Sequence, residues 1–164
     1  MIVVADTSPV RYLILIGEIE LVPKLYGRVL IPSAVFAELR ASASPEPVRK
    51  FTEEVPEWLE IATLSQPIEN DLLRILHLGE SEAIQLATEI KADLLLIDEK
   101  RGRAVAVDRG LEIIGTIGVL LSAHRKGLVD LEESISKLQG TDFYMSSELK
   151  KQIDKIIDNY VKHS

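Results

Sequence analysis

The chain opens on Met1-Ile2-Val3-Val4-Ala5-Asp6-Thr7-Ser8, and no other stretch constrains the fold as much. Its apolar, β-branched run has no polar position for a solvent-facing side, which reads as a strand buried on both faces. The run stops at a carboxylate, a hydroxyl pair and Pro9, so Asp6 stands at the strand's carboxyl end. Leu94-Leu95-Leu96-Ile97-Asp98 repeats the device. In open parallel sheets the crevice beyond such strand ends is where ligands bind, which makes both aspartates site candidates. The simpler alternative is that Asp6 or Ser8 caps the helix opening near Pro9.

Around these two strands the pattern alternates. Thr7 to Leu15 is helix-compatible and broken by Gly17, and Ile19 to Leu25 is a short amphipathic helix closed by Gly27. Val29-Leu30-Ile31 is a second buried strand ended by Pro32, and Ser33 is placed to cap a helix over Ala34 to Arg40. Ala41 to Pro47 is small, polar and proline-bearing, a loop or lid. Trp58 to Leu64 reads as a third strand, followed by helices from Pro67 to about His77 and from Gly79 to about Lys91. Beyond Asp98 come a helix from Lys100 to Arg109, a short strand over Leu111 to Ile114, a turn at Gly115 to Gly118 and a helix to Lys126. After Gly127 only helical segments remain, Leu131 to Leu138 and Ser146 to Val161. The expected fold is α/β, a central parallel sheet flanked by helices in three layers, over residues 1–128. Residues 129–164 form a C-terminal helical extension.

At 164 residues and 46% hydrophobic content, the chain can bury one sizeable core. It has no cysteine, which excludes disulfides and thiolate metal sites, and no run approaches the ~20 apolar residues of a membrane span. A cytoplasmic protein with no membrane partner is the expectation. The net charge of −7 opposes nucleic acid at long range, but acids gathered around bound cations would have their charge cancelled.

Helical phase places two more acids. After Gly79, Glu80 shares a face with Ala83, Ile84 and Ala87, whereas Glu82 lies about 200° away with polar neighbours. Glu38 flanks the stripe made by Val35 and Leu39. If Asp6, Glu38, Glu80 and Asp98 meet at one sheet edge, carboxylates about 4 Å apart repel by roughly 1 to 4 kcal/mol per pair. A hard divalent cation, Mg²⁺ or Mn²⁺, is the natural partner of such an all-oxygen set, with protonation of one acid the competitor.

Asp6-Thr7-Ser8 after the opening strand, Pro32 to Leu39 ending in Glu-Leu, Leu78 to Ala87 with its Gly-Glu start, and Leu95-Leu96-Ile97-Asp98 together resemble a PIN domain. The branch they resemble is that of the predicted nucleic-acid-binding proteins related to the VapC toxins, over Ile2 to about Leu128. The resemblance implies a Mg²⁺- or Mn²⁺-dependent ribonuclease, with one or two ions, whose acid quartet falls on Asp6, Glu38, Glu80 and Asp98. Ser8 matches the hydroxyl accompanying the first acid, and Thr116 the polar position after the last strand. There are departures: the third acid is more often aspartate in the toxins, and Glu99 stands where an aspartate is common. Glu99 and Glu82 rank behind the quartet, Glu99 because successive strand residues point to opposite faces.

The implied chemistry is metal-assisted phosphodiester hydrolysis, which requires no histidine. His77, His124 and His163 accordingly stay outside it. Arg11, Arg40, Lys100, Arg101 and Arg103 are the candidate phosphate contacts, against the plainer reading of solvated helix faces. The resemblance further suggests RNA as substrate, a small antitoxin partner and a homodimer. A haloacid dehalogenase-type phosphatase would need an aspartate at position 8, a receiver domain an acidic pair near the first strand, and a Ser8 nucleophile a histidine base; all three are lacking. The remaining alternative is a catalytically weak PIN-like module that binds RNA or a protein partner.

Overall fold

A computed structural model describes residues 1–163, with side chains through residue 160. The side chains of Val161 and His163, and Ser164, lie outside the described residues. The strands are β1 (Val3–Ala5), β2 (Val29–Pro32), β3 (Leu59–Ala62), β4 (Leu94–Leu96) and β5 (Ile113–Ile114). They form one all-parallel sheet in the order β3-β2-β1-β4-β5. The helices are α1 (Thr7–Leu15), α2 (Leu21–Tyr26), α3 (Ser33–Arg40), α4 (Glu46–Glu53), α5 (Asn70–Ile75), α6 (Leu78–Glu89), α7 (Lys100–Asp108), α8 (Thr116–Arg125), α9 (Leu131–Gln139) and α10 (Ser147–His163).

The opening run is the middle strand. Val3, Val4 and Ala5 are fully buried, as are Leu95, Leu96 and Ile97 beside them, so apolar side chains on both faces find a helix layer to pack on. From β1 the chain turns toward β2 and β3, and from β4 it turns the other way toward β5. Between the carboxyl ends of β1 and β4 lies the topological switch point, the place where this class of sheet opens a crevice. Asp6 N–H donates to Leu96 O at 2.9 Å, holding the first acid against the end of β4.

Local chemistry shifts several expected boundaries. Ser33 is the first residue of α3 rather than its cap, with Pro32 at the N-cap position. The tract after Arg40 contains a helix that the two prolines hid: Pro45 caps α4 and Pro47 sits in its first turn, where a missing N–H costs nothing. Val48 anchors α4 in the core. The expected turn at Gly115 to Gly118 is already helical, α8 starting at Thr116. Gly118 is there because a Cβ would come within 2.5 Å of Ile114 Cγ1.

Leu131, Ile135 and Leu138 of α9 and Ile153 of α10 join the same buried cluster as the strands. Leu149, Ile156 and Ile157 pack partly buried against it, and the Tyr160 ring stands edge-on to His124 with centroids 4.5 Å apart. The apolar stripe of α10 is thus covered by the chain's own core. Ile153→Ala should cost about 2 to 4 kcal/mol in urea denaturation, the range for a buried isoleucine, and a cost below about 0.5 kcal/mol would show that α10 is not docked.

Candidate active site

Four acids reach the switch point by four different routes. Asp6 follows β1 directly and occupies the N-cap position of α1, yet its side chain makes no capping hydrogen bond. It is 4% exposed, and Oδ1 has no hydrogen-bond partner. Capping therefore does not account for it. Glu80, in the first turn of α6, is likewise buried, with Oε2 unpartnered. Glu38, from α3, is half-buried and satisfied: it accepts from Thr7 Oγ1 and from Gly79 N–H at 3.1 Å. Asp98 follows the end of β4 and accepts from Thr116 N–H and Thr116 Oγ1, both at 2.7 Å, at the N-terminus of α8.

Three glycines make room for these carboxylates. A Cβ on Gly79 would collide with the Glu38 carboxylate. One on Gly102 would lie 2.7 Å from Glu80 Oε2 and 2.9 Å from Ile97 Cδ1, and one on Gly115 would lie 2.9 Å from Asp98 Oδ1. Gly102 is a helix-interior glycine, which ordinarily costs about 0.5 to 1 kcal/mol relative to alanine. Steric room for Glu80 explains it.

Asp6, Glu38 and Glu80 line one pocket of about 240 Å³, together with Ser8, His77 and Glu99. Asp98 faces a neighbouring cavity beside Arg103 and Phe143, close enough to Asp6 to act on it electrostatically. The expected quartet is thus three acids plus one at the side, and Glu99 joins the three. Strand alternation did not govern Glu99, because β4 ends at Leu96 and residue 99 belongs to the turn into α7. His77, exposed at the N-cap position of α6, also lines the pocket, which the sequence reading did not anticipate.

The electrostatics follow from burial. Asp6 is pushed up to about 7, by burial first and then by the charges of Glu38, Asp98 and Glu99. Glu80 is pushed up to about 8 by burial, by its neighbouring Glu99 carboxyl and by Asp6. Burial also raises Asp98, against the pull of Thr116 and Arg103. Among the described residues, no three His, Asp or Glu side chains stand together as a ready-made ion cage. The donor set nevertheless fits a hard cation: it is all oxygen, and two buried carboxylate oxygens lack any protein donor.

Of the other predicted residues, Ser8 lines the pocket and Thr116 anchors Asp98. Glu82 does not face water; half-buried, it accepts from Ala34 N–H at 3.1 Å and ties α6 to the first turn of α3. Helical phase alone missed this because α6 is covered on nearly all sides, not along one stripe. Arg11 pairs with Asp142 at 3.2 Å, and Arg40 is exposed over the Phe36 ring. Arg103 donates to Ile97 O at 3.0 Å, whereas Lys100 and Arg101 are exposed.

Against known proteins, the family model described as "DUF3368: PIN domain" matches residues 2–159. That match extends past residue 128 and takes in α9 and most of α10. Among solved structures, a PilT N-terminus domain protein from the archaeon Sulfolobus solfataricus aligns at 16% identity with a TM-score of 0.49, over 89% of this chain and 100% of that one. No curated protein matches.

Two predictions follow from the site's electrostatics and contacts. In EDTA the folded chain retains protons at Asp6 and Glu80 that the unfolded chain has released, so stability is full at about pH 4 and falls as pH rises to about 8. Asp6→Asn removes its share of that slope and should be about 2 to 4 kcal/mol more stable than the parent at pH 8. Urea curves at pH 5 and pH 8 measure this, and equal slopes for parent and variant would mean that Asp6 is not protonated. Glu82→Ala should cost about 1 kcal/mol by releasing the α3 amide while sparing any cleavage, whereas Glu80→Gln should, like Asp6→Asn, be more stable than the parent at pH 8 and abolish any cleavage. The opposite ranking would exchange their roles.

Proposed function

The chain belongs to the PIN-domain family, whose members are typically nucleases that use divalent metal ions, and from that premise we propose a metal-dependent ribonuclease of the VapC-toxin-like branch. Its reaction is hydrolysis of RNA phosphodiester bonds. The observation that carries the reading is the pair of buried, unpartnered oxygens, Asp6 Oδ1 and Glu80 Oε2, on two residues that line one small acidic pocket. An orphaned buried carboxylate oxygen forfeits its solvation, and a ligand that restores it repays that cost.

Asp6, Glu38 and Glu80 would hold Mg²⁺ or Mn²⁺, with Glu99 and Asp98 supplying further oxygens from the α7 side. A bound divalent ion supplies Lewis acidity and a lowered pKa for coordinated water. The remaining tasks belong to the chain. Thr7 Oγ1 and Gly79 N–H fix the Glu38 carboxylate, and Thr116 fixes Asp98 with two hydrogen bonds. Burial and mutual repulsion hold Asp6 and Glu80 toward their protonated forms, and a divalent cation bound between them would favour the carboxylates instead. Lys100 and Arg101, exposed at the start of α7, would contact strand phosphates. A cytoplasmic setting, a small antitoxin partner and a homodimer belong to the same proposal.

Cleavage of single-stranded RNA should require Mg²⁺ or Mn²⁺ and stop in excess EDTA. Asp6→Asn and Asp98→Asn should each lower the rate by at least about a hundredfold, with unchanged far-UV circular dichroism. Cleavage persisting in EDTA overturns the metal assignment, and parental rates in both variants put the site elsewhere. RNA binding without cleavage in any metal would favour the binding-module alternative.

A further inference from the structure

Residues 140–146 link α9 to α10 across the carboxyl end of the sheet, and the linker is pinned residue by residue. Thr141 Oγ1 donates to Leu138 O at 2.6 Å and accepts from Phe143 N–H at 3.2 Å. The Asp142 carboxylate takes both Arg11 guanidinium nitrogens, each at 3.2 Å. The Phe143 ring stands edge-on to Tyr12 with centroids 5.0 Å apart, and Met145 packs against the core. Tyr144, between two anchored neighbours, is 83% exposed.

A single exposed aromatic ring is ordinary in itself, so its location decides what it can do. Tyr144 borders a cavity of about 470 Å³ that it shares with Tyr12, Phe143 and Lys100. Ser8 and Glu99 line both this cavity and the carboxylate pocket, so the two spaces adjoin. The lining suits a neutral, flat group: it holds three aromatic rings, and its carboxylates, Asp98, Glu99 and Asp142, outnumber Lys100 and disfavour a bare phosphate.

We infer that Tyr144 is a stacking platform for an unpaired base of the RNA strand, next to the nucleotide whose phosphate enters the carboxylate pocket, with Lys100 meeting the backbone between them. The inference rests on the ribonuclease reading and narrows its substrate to single strands, because a base in a duplex has both faces covered already. Base stacking on an aromatic ring is largely indifferent to sequence. The subsite therefore selects strandedness, not base identity.

The test is fluorescence anisotropy with Mn²⁺ and a labelled ten-nucleotide RNA, single-stranded or annealed to its complement. The parent carries Asp98→Asn to prevent cutting, or is the unaltered chain if that does not cut. Tyr144→Ala should weaken single-strand binding by about tenfold to a hundredfold, Tyr144→Trp should preserve it within about threefold, and duplex binding should not move. In the cleaving protein, Tyr144→Ala should raise KM with kcat unchanged at saturation. Equal single-strand binding by Tyr144→Ala and its parent overturns the proposal, as does equal weakening of duplex and single strand, or failure of the parent to bind RNA at all; the last would point to a protein partner on this face. Selective loss of single-strand binding in a chain that never cleaves would sink the ribonuclease reading and leave the stacking platform standing. Normal KM in Tyr144→Ala would do the reverse.

Discussion

Everything in this molecule hangs on the burial of β1. A strand with no polar face must be covered on both sides, and its position between β2 and β4 makes it the axis about which the two helix layers are laid down. Because the chain leaves β1 and β4 in opposite directions, the crevice between their carboxyl ends cannot be closed by a connecting segment. Asp6 inherits its location from that constraint alone. It is buried because the strand before it is buried, and it is unsatisfied because the first turn of α1 does not use it as a cap.

The acids brought to this crevice are handled in two ways. Glu38 and Asp98 are satisfied by donors from the protein: Thr7 and Gly79 for the first, Thr116 twice for the second. Asp6 and Glu80 are left with bare oxygens, and the folded chain meets their desolvation by holding protons at pH values where exposed carboxylates have none. This division has a physical consequence. The satisfied pair are held in place by fixed donors, while Asp6 and Glu80 each keep one carboxylate oxygen without a partner. Gly79, Gly102 and Gly115 belong to the same arrangement, since any larger side chain at these positions would occupy the space of a carboxylate.

The C-terminal helices are part of this structure's core, not an accessory to it. Ile153 shares the buried cluster with β1 and β4, and the linker preceding α10 is tied to α1 through Arg11 and Tyr12. Helix α1 begins one residue after Asp6, so the same element that carries Thr7 and Ser8 to the pocket also holds the linker at its rim. The placement of Tyr144 is in this sense a consequence of α1.

The sequence by itself determined β1, β2 and β4 and the class of the fold, because burial on both faces leaves short, continuous, β-branched or leucine-rich runs bounded by helix-like segments. Asp6 and Asp98 were legible for the same reason, as carboxylates at the ends of such runs. So was the inward phase of Glu80, since 3.6-residue periodicity is local. The stretch from Pro45 to Pro47 concealed α4, as proline marks a helix's first turn and a loop equally well. What only the tertiary structure decided was how residues far apart in the chain share space. Glu99 lies in the pocket while Asp98 turns to Thr116, Glu82 is claimed by the α3 amide at Ala34, and His77 reaches the rim. None of these has a periodic signature. Each depends on the packing of α6, α7 and α8 around the ends of β1 and β4, where the backbone has left regular structure and local spacing no longer dictates direction.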